Sequence, residues 1–301
     1  MLQVARLAPK LLGESVDLVR DFLRTQQNED SGFKDRTGKS DLYYTVFGVD
    51  SLLALQSDFS RTALQGFLQG FGNGEQLDFV HLCCLARCRA AIADRLFDVA
   101  DKTKVASELL RQIERFRSLD GGYNPVADSA FGTAYGSFLA LGAYQDWKSE
   151  LPEPLRLVQS FKLLETDDGA WTNENILHNA SRGTHAKIGS TNATAAALTV
   201  LRNLGMPINP AVGDWLLAQV HPQGGFRAAP QAPMPDLLST ATALHALDGL
   251  QRDVSEIKEA CLDFVDSLWT NQGSFHGNWS DDTLDCEYTF YGLLALGHLS
   301  L

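Results

Sequence analysis

The sequence predicts an all-α protein built from about six repeats of a helix pair. The main observation is a recurring pattern in which an amphipathic stretch ends in a large apolar residue and a polar loop follows, with a glycine and then an aromatic residue. The glycine–aromatic steps are, in chain order, Gly32-Phe33, Gly122-Tyr123, Gly169-Ala170-Trp171, Gly225-Phe226 and Gly273-Ser274-Phe275. A degraded sixth copy is predicted around Gly74. A repeat of this length is typical of architectures whose units stack on their neighbours.

Each repeat contains one amphipathic and one apolar helix. In the first repeat, residues 16–26 place apolar side chains on one helical face and charges on the other, which predicts a surface helix. Residues 43–55 are apolar nearly all round, so this second helix should be buried on most sides, with Ser40-Asp41 as its cap. Residues 261–269 and 287–296 repeat the pair in the last copy.

The ends of the chain favour a closed arrangement of the repeats. Open solenoids need soluble terminal repeats, and neither end of this sequence has a polar capping repeat. We therefore expect an α6-α6 double barrel formed by residues 1–301 as a single domain. Its central cavity should have a mouth lined by the N-termini of the inner helices.

Composition narrows the range of partners and compartments. The net charge of -12 disfavours nucleic acid or an anionic membrane as the main partner. No apolar run is long enough for stable membrane insertion. The five cysteines show no paired CxxC framework, so reduced thiols in the cytoplasm are expected.

These features resemble the α/α-toroid family of protein prenyltransferase β subunits and squalene-hopene-type terpene cyclases. The glycine–aromatic loops are similar to the QW repeats of the cyclases. Residues 32–45 (GFKDRTGKSDLYYT) are close to the final repeat of farnesyl- and geranylgeranyltransferase β subunits, and residues 284–290 (LDCEYTF) are similar to another. The resemblance implies a prenyl diphosphate or polyisoprenoid in a central apolar cavity, and a helical partner subunit.

The resemblance also implies a zinc site, which this sequence does not predict. The transferases bind zinc through Asp-x-Cys at the start of one inner helix and a His at the start of the next. In chain order, Asp236 keeps the first ligand, but Leu238 stands in place of Cys and Tyr288 in place of His. Leucine has no metal-binding atom, and zinc sites use thiolate, imidazole or carboxylate donors.

The remaining metal candidates lie around residue 285. If the last repeat adjoins the first, Asp285 keeps the zinc aspartate's place, Cys286 is displaced by one residue and Tyr44 replaces His. Residues 281–285 also spell DDxxD, the magnesium-diphosphate motif of class I terpene synthases, with Asp281 and Asp282 as the further carboxylates. Capping of an inner helix explains the same aspartates without a metal. Capping is the favoured interpretation, magnesium binding is the alternative, and no cofactor is predicted.

Four residues are candidates for chemistry at the mouth. Class II cyclases protonate an alkene with an aspartic acid that its surroundings keep neutral. The sequence has no DxDD motif, so Asp236 or Asp285 would have to supply this carboxylic acid or serve as a metal ligand. Tyr44 and Tyr288 are predicted as hydroxyl donors beside them.

Substrate contacts are predicted from basic and aromatic residues. Arg36 and Lys39 form a basic group in the first loop that could take a phosphate. Aromatic residues near the starts of the apolar helices would suit a polyisoprenoid and could stabilise a carbocation. The aromatic candidates for substrate binding are Phe47, Phe131, Tyr135 and Tyr291.

Two other functions fit the same fold. The missing Cys and His ligands and the sparse cations suit a non-catalytic toroid that acts as a binding or scaffold subunit. A carbohydrate-active α/α barrel is the third interpretation, because such proteins also close six helix pairs and the tryptophans and acidic mouth could suit a sugar.

Overall fold

The computed structural model describes residues 1–175 and 188–301, and these residues are mainly helical. The first helices are α1 (Leu2–Ala5), α2 (Pro9–Leu12), α3 (Val16–Gln26), α4 (Leu42–Ala54), α5 (Arg61–Gln69), α6 (Phe79–Leu96) and α7 (Val99–Glu114). The later helices are α8 (Ala134–Asp146), α9 (Pro154–Lys162), α10 (Thr191–Asn203), α11 (Ala211–Leu217), α12 (Leu237–Gly249), α13 (Ser255–Ser267) and α14 (Cys286–Leu299). The short strands are β1 (Phe33–Lys34), β2 (Ser40–Asp41), β3 (Phe226–Arg227) and β4 (Pro235–Asp236).

The chain folds into two compact units. Unit 1 contains Met1–Ser60 and Gly213–Leu301, and unit 2 contains Arg61–Val212. Within unit 1, α14 packs between α12 and α4. The last repeat therefore lies beside the first, as one of the two considered registers requires. Within unit 2, α8 packs between α6 and α10.

The alternation of amphipathic and apolar helices is confirmed in the first repeat. Helix α3 has the predicted bounds, and its buried face carries Val19, Phe22 and Leu23. Helix α4 is buried along most of its length, because it has no polar face to turn towards water. Asp41 caps it, and its Oδ1 accepts hydrogen bonds from the backbone N–H groups of the next two tyrosines at 2.8 and 3.2 Å.

The first fifteen residues form elements that the repeat pattern did not predict. Helices α1 and α2 are followed by a 3₁₀ turn at Gly13–Ser15. Helix α1 packs against α14 and α4. A Cβ atom on Gly297 would lie 2.2 Å from the carbonyl oxygen of Val4. The absence of a side chain at this glycine therefore allows the N-terminal segment to approach the end of α14.

A buried hydroxyl joins the loop of most repeats to the inner helix. Phe226 lies opposite the cap residue Asp236 in the β3–β4 pair. Its backbone N–H donates to Thr240 Oγ1 at 2.9 Å, and this hydroxyl donates to the carbonyl oxygen of Asp236 at 2.7 Å. We call this arrangement the hydroxyl clamp. The equivalent aromatic–hydroxyl pairs are Phe33–Thr45, Tyr123–Ser137 and Trp171–Thr194. In the last repeat, Ser274 Oγ and Thr289 Oγ1 share a hydrogen bond of 2.7 Å.

Small residues make room for the loop aromatics beside the clamp. Three residues after the clamp hydroxyl stand Gly48 in α4 and Gly292 in α14. A Cβ atom at either glycine would lie 2.3 Å from a ring carbon of Phe33 or Phe275, respectively. Alanine holds the same position in the other clamped repeats, at Ala140, Ala197 and Ala243. The ring and the small residue thus fit as a pair.

The degraded copy around Gly74 has neither the clamp hydroxyl nor the small residue. Asp78 caps α6, and its Oδ1 accepts from the N–H of His81 at 3.0 Å. Four residues after this cap stands Leu82 instead of a hydroxyl residue. A Cβ atom on Gly74 would lie 2.5 Å from Leu82 Cδ1. Leu82 thus takes the place of the clamp hydroxyl, and Leu85, whose Cδ2 would lie 3.4 Å from the same Cβ atom, takes the place of the small residue.

Thr240→Val should lower the free energy of unfolding by about 1–3 kcal/mol, because the buried N–H of Phe226 would lose its acceptor. The matched control is Thr103→Val, since Thr103 is exposed on α7 and its hydroxyl donates to the carbonyl oxygen of Val99. The control should shift stability by about 0.5 kcal/mol or less. Urea unfolding measures both values, and equal losses would contradict the role of the clamp.

Gly48→Ala should destabilise the protein by about 1–3 kcal/mol, because the new methyl group would overlap the ring of Phe33. Gly142 in α8 faces open space, and a Cβ atom there would meet no heavy atom of a neighbouring element within 4 Å. Gly142→Ala should therefore stabilise its helix by up to about 1 kcal/mol. Thermal unfolding of both variants tests the pairing, and a gain in both would show that the ring does not need a glycine.

Candidate functional site

The predicted site residues of unit 1 gather at the N-terminal ends of α4, α12 and α14. We call the carboxyl groups Asp236, Asp281, Asp285 and Glu287 the acidic end of unit 1. Asp236 and Asp285 are the caps of α12 and α14, and the helix dipole favours carboxylates in that position. The hydroxyl clamps fix these caps, because each clamp hydroxyl donates to the carbonyl oxygen of the cap residue.

Asp285 is buried and ion-paired with a residue from the first repeat. Its Oδ1 accepts from the N–H of Tyr288 at 2.9 Å, and its Oδ2 accepts from Arg36 Nε at 3.0 Å. Arg36 Nη2 also donates to Asp281 Oδ2 at 3.3 Å. Burial raises the pKa of Asp285, and the hydrogen bond from Tyr288 and the charge of Arg36 oppose this rise. The guanidinium group thus serves two carboxylates across the acidic end.

Arg36 is strongly held in its charged form. Partial burial acts to lower its pKa, but the charges of Asp285 and Asp281 outweigh burial and raise the pKa above its ordinary value. The guanidinium carbon lies 5.7 Å from the ring centroid of Tyr288, within cation–π range. Burial, followed by the charge of Asp285, raises the pKa of Tyr44.

Asp236 has no such ion pair among the described residues. Its Oδ1 accepts from the N–H of Ser239 at 2.7 Å, and its Oδ2 accepts from the hydroxyl of the same serine at 2.7 Å. Burial raises its pKa despite these hydrogen bonds. Burial and the nearby charges of Glu287 and Asp236 raise the pKa of Tyr288 to about 12. Asp236 and Tyr288 therefore both favour their protonated forms more than the free side chains do.

An aromatic cluster adjoins the acidic end. The hydroxyl of Tyr43 donates to Glu287 Oε1 at 2.6 Å, and burial raises the pKa of this glutamate. The ring of Phe47 lies 5.0 Å from that of Tyr43, 5.8 Å from that of Phe290 and 5.5 Å from that of Tyr291, measured between centroids. These rings join α4 to α14 directly beside carboxyl groups, with Phe47 and Phe290 buried and Tyr43 and Tyr291 partly exposed.

The structure brings together most, but not all, of the predicted site residues. The residues that meet around the acidic end are Arg36, Tyr44, Phe47, Asp236, Asp281, Asp285, Tyr288 and Tyr291. The side chain of Lys39 is exposed in the β1–β2 loop, and Asp282 is also exposed. Phe131 and Tyr135 belong to unit 2, where Phe131 precedes α8 and Tyr135 is the second residue of that helix.

Sequence analysis did not select Tyr43 or Phe290 as site residues. Tyr43 and Glu287 lie 244 residues apart, so their hydrogen bond follows only from the contact between the first and last repeats. One signal in the sequence could have indicated this pair. Tyr43 and Glu287 each stand two residues after a helix cap, Asp41 and Asp285 respectively.

The donor atoms do not fit the zinc site that the fold implies. Leu238 has no ligand atom, and the phenol of Tyr288 keeps its proton because its pKa is about 12. Burial and the charge of Asp285 raise the pKa of Cys286 far above its ordinary value, so this residue does not offer a thiolate. Among the described residues, no group of three or more His, Cys, Asp or Glu side chains is arranged to hold a metal ion.

Comparison with known protein families identifies the family of this chain. The family described as the prenyltransferase alpha-alpha toroid domain matches residues 10–81 and 174–299. The chain belongs to this family. The predicted all-α, α/α-toroid fold class and the predicted family are thereby confirmed.

Solved structures show the same fold at low sequence identity. The type II terpene cyclase MstE from Scytonema in its apo form is 14% identical, with a TM-score of 0.62 over 96% of this chain and 97% of that chain. Candida albicans protein geranylgeranyltransferase-I complexed with GGPP is 12% identical, with a TM-score of 0.56 over 76% and 73% of the two chains. A protein from Actinoplanes is 14% identical, with a TM-score of 0.60 over 95% and 98%. These identities show a shared fold alone.

No curated protein matches the sequence. None of the helices in residues 1–175 and 188–301 combines the length and apolar character needed to cross a membrane.

Asp236→Asn should raise the free energy of unfolding at pH 7. Because the pKa of Asp236 is raised in the folded protein, ionisation at neutral pH costs folding free energy that an uncharged asparagine does not incur. Asparagine also remains a good cap. The advantage of the variant should shrink as the pH falls towards about 4, where the unfolded chain also binds the proton. Urea unfolding between pH 4 and 8 measures the difference.

Glu114→Gln in unit 2 is a control for which the expected change in the free energy of unfolding has the opposite sign. Burial disfavours the charge of Glu114, but hydrogen bonds from Arg117, Tyr123 and Tyr144 outweigh burial and lower its pKa. Arg117 Nε lies 2.8 Å from Glu114 Oε2, and the hydroxyl of Tyr144 lies 2.7 Å from Oε1. The variant should lose about 1–3 kcal/mol at pH 7, and less as the pH falls through the acid range. If the free energy of unfolding changed in the same direction in Asp236→Asn and Glu114→Gln, the pKa directions assigned to Asp236 and Glu114 would be contradicted.

Proposed function

We propose that this protein binds an isoprenoid in a central apolar cavity of its toroid and catalyses a proton-initiated cyclisation without zinc. The observation that carries the proposal is the meeting of Asp236 and Glu287, carboxyl groups whose pKa burial raises, with an aromatic cluster at one end of unit 1. The type II terpene cyclase and the GGPP-bound transferase share its fold, which supports an isoprenoid as the ligand class.

Asp236 is the proposed proton donor. A general acid for an alkene must keep its proton in the resting protein, and desolvation is the usual means of achieving this. Burial raises the pKa of Asp236, and no cation among the described residues offsets this effect. Its side chain is only partly shielded, so a ligand could reach it. Asp285 is a poorer donor, because Arg36 stabilises its ionised form.

The proposed reaction is an isomerisation and balances without a co-reactant. The Asp236 proton adds to a terminal alkene carbon, and the π electrons form the new C–H bond. An internal alkene closes the ring by attacking the resulting carbocation. Loss of a proton from the final carbocation forms a new alkene, and that proton restores the carboxylic acid through solvent.

The neighbouring residues have supporting roles in this proposal. Phe47 and Tyr291 present aromatic faces that stabilise positive charge in the isoprenoid. Tyr44 and Tyr288 act as hydroxyl donors, since both keep their protons at neutral pH. Arg36 holds Asp285 and Asp281 in place and balances their charge.

A non-catalytic binding role is the second candidate. Arg36 spans Asp281 and Asp285, so a ligand could be held beside a closed ion pair without any proton transfer. The helical partner subunit, the cytoplasmic location and the assignment of residues 1–301 to one domain remain proposals. All five cysteines are free and buried, which supports a reducing compartment.

Asp236→Asn should abolish product formation while leaving isoprenoid binding intact. The assay incubates purified protein with acyclic isoprenoids, including squalene, 2,3-oxidosqualene and geranylgeraniol, and identifies products by gas chromatography and mass spectrometry. Loss of the general acid should reduce turnover by at least about a hundredfold. Native mass spectrometry of the same samples measures binding.

The matched control is Asp253→Asn. Asp253 also accepts hydrogen bonds from the N–H and hydroxyl of a following serine, Ser255, but it is fully exposed. This variant should keep full turnover. Equal turnover in wild type and Asp236→Asn would exclude Asp236 as the donor. Binding of an isoprenoid without any product in wild type would favour the non-catalytic role.

A further inference from the structure

Two histidines meet near the C-terminal ends of α12 and α14, away from the acidic end of unit 1. His245 Nδ1 and His298 Nε2 lie 3.1 Å apart, and we call these two side chains the histidine pair. His245 follows the cap Asp236 by nine residues, which corresponds to about 13 Å of helix. The histidine pair is therefore distinct from the carboxyl groups of the proposed reaction.

The separation of the two ring nitrogens suits a shared metal ion. Imidazole is a common ligand of zinc and other divalent transition metals. Zinc–nitrogen distances of about 2.0–2.1 Å place two nitrogens on one tetrahedral ion about 3.3 Å apart. The observed 3.1 Å is close to this value. A direct hydrogen bond between the rings fits the same distance, so the other nitrogen of His298 distinguishes the two interpretations.

The surroundings of His298 Nδ1 favour the tautomer that a metal needs. His298 is 6% exposed, and among the described residues this nitrogen has no hydrogen-bond partner. Asp248 Oδ2 lies 3.7 Å from it. A lone pair on Nδ1 would repel the carboxylate, whereas a hydrogen there is attracted by it and leaves the Nε2 lone pair towards His245. Ligating histidines usually donate their other ring N–H to such a group.

The charges around the histidine pair suit a cation bound to neutral rings. Burial lowers the pKa of His298 to about 4, and metals bind the neutral form of imidazole. Asp248 supplies a negative charge, and the C-terminal ends of α12 and α14 carry the negative ends of two helix dipoles. The positive amino group of Met1 opposes them. His245 is partly exposed, so solvent can exchange its ring hydrogen and deliver a metal ion.

We propose that the histidine pair binds a divalent transition-metal ion through His245 Nδ1 and His298 Nε2, with Asp248 as a positioning residue. Water molecules complete the coordination of the ion. Two protein donors are fewer than the three or four of usual zinc sites, so the affinity is lower than that of a structural zinc site. The site joins α12 to α14 and does not depend on the proposed cyclisation.

The test titrates Zn²⁺ into metal-free protein and follows binding by isothermal titration calorimetry. The variants are His245→Gln and His298→Gln, and the matched control is His221→Gln. His221 lies in a loop of the same unit, where its Nδ1 accepts from the N–H of Gln223 at 3.2 Å. We expect one zinc ion per wild-type chain and the same affinity in the control. Loss of either ligand should weaken binding by about tenfold or more.

Pulsed electron paramagnetic resonance of the Cu²⁺ complex counts the coordinated imidazoles. Two imidazoles are expected in wild type and in His221→Gln, and one or none in His245→Gln. Asp248→Asn should weaken zinc binding by about tenfold and still show two imidazoles, because it removes a positioning charge and no ligand. If the buried His298 does not tolerate substitution, the partly exposed His245 provides the deciding variant.

Two results would overturn the proposal. Absence of zinc binding by the wild type up to about 1 mM would leave the histidine pair as a hydrogen bond between neutral rings. Equal binding by wild type, His245→Gln and His298→Gln would show that the metal lies elsewhere. Neither result bears on the proposed cyclisation, because Asp236 lies at the other end of α12.

Discussion

The hydroxyl clamp is the interaction on which the rest of this structure depends. A threonine or serine four residues after the helix cap receives the N–H of the loop aromatic, as Thr240 does for Phe226. The loop aromatic N–H is buried, so a missing acceptor would carry a large desolvation cost. The clamp thereby determines where each loop ends and which residue becomes the cap. In unit 1 the clamped caps are Asp41 and Asp236, and the equivalent hydroxyl of Thr289 donates to the carbonyl oxygen of the third cap, Asp285.

All three caps of unit 1 are aspartates, and this makes the N-terminal ends of its inner helices acidic. Aspartate is among the best capping residues and interacts favourably with the helix dipole, so structural requirements alone bring three carboxylates to one region. Burial then raises the pKa of Asp236 and Asp285. Arg36 stabilises the ionised form of Asp285, whereas Asp236 depends on hydrogen bonds from Ser239. Two caps with similar structural roles therefore have different proton affinities.

Local patterns predicted much of the fold, because helix amphipathicity and capping are properties of adjacent residues. Helix α3 has its predicted bounds, and Asp41 caps α4 as expected. The clamp also had a signal in the sequence, since a hydroxyl residue precedes a small residue by three positions in five repeats. In the copy around Gly74, Leu82 and Leu85 stand at the hydroxyl and small-residue positions, which explains why this copy was hard to recognise.

The arrangement of the candidate site depended on contacts that local patterns do not contain. Arg36 and Asp285 lie 249 residues apart, and their ion pair forms because α14 packs against α4. The sequence showed Arg36 and Lys39 in one loop, which predicted a basic group that could take a phosphate. It could not show that Asp281 and Asp285 would bind this guanidinium. The packing of α1 against α14 was also hidden, because residues 1–15 do not follow the repeat.

The central claim is that an isoprenoid lies against the aromatic cluster beside the acidic end of unit 1. Photolabelling with a geranylgeraniol analogue that carries a diazirine near its terminal alkene tests this claim most directly. Peptide mass spectrometry should locate the label in α4 and α14, on residues 42–54 and 286–299. Excess unmodified geranylgeraniol should prevent this labelling. Labelling confined to other peptides, or no labelling that geranylgeraniol can prevent, would contradict the account.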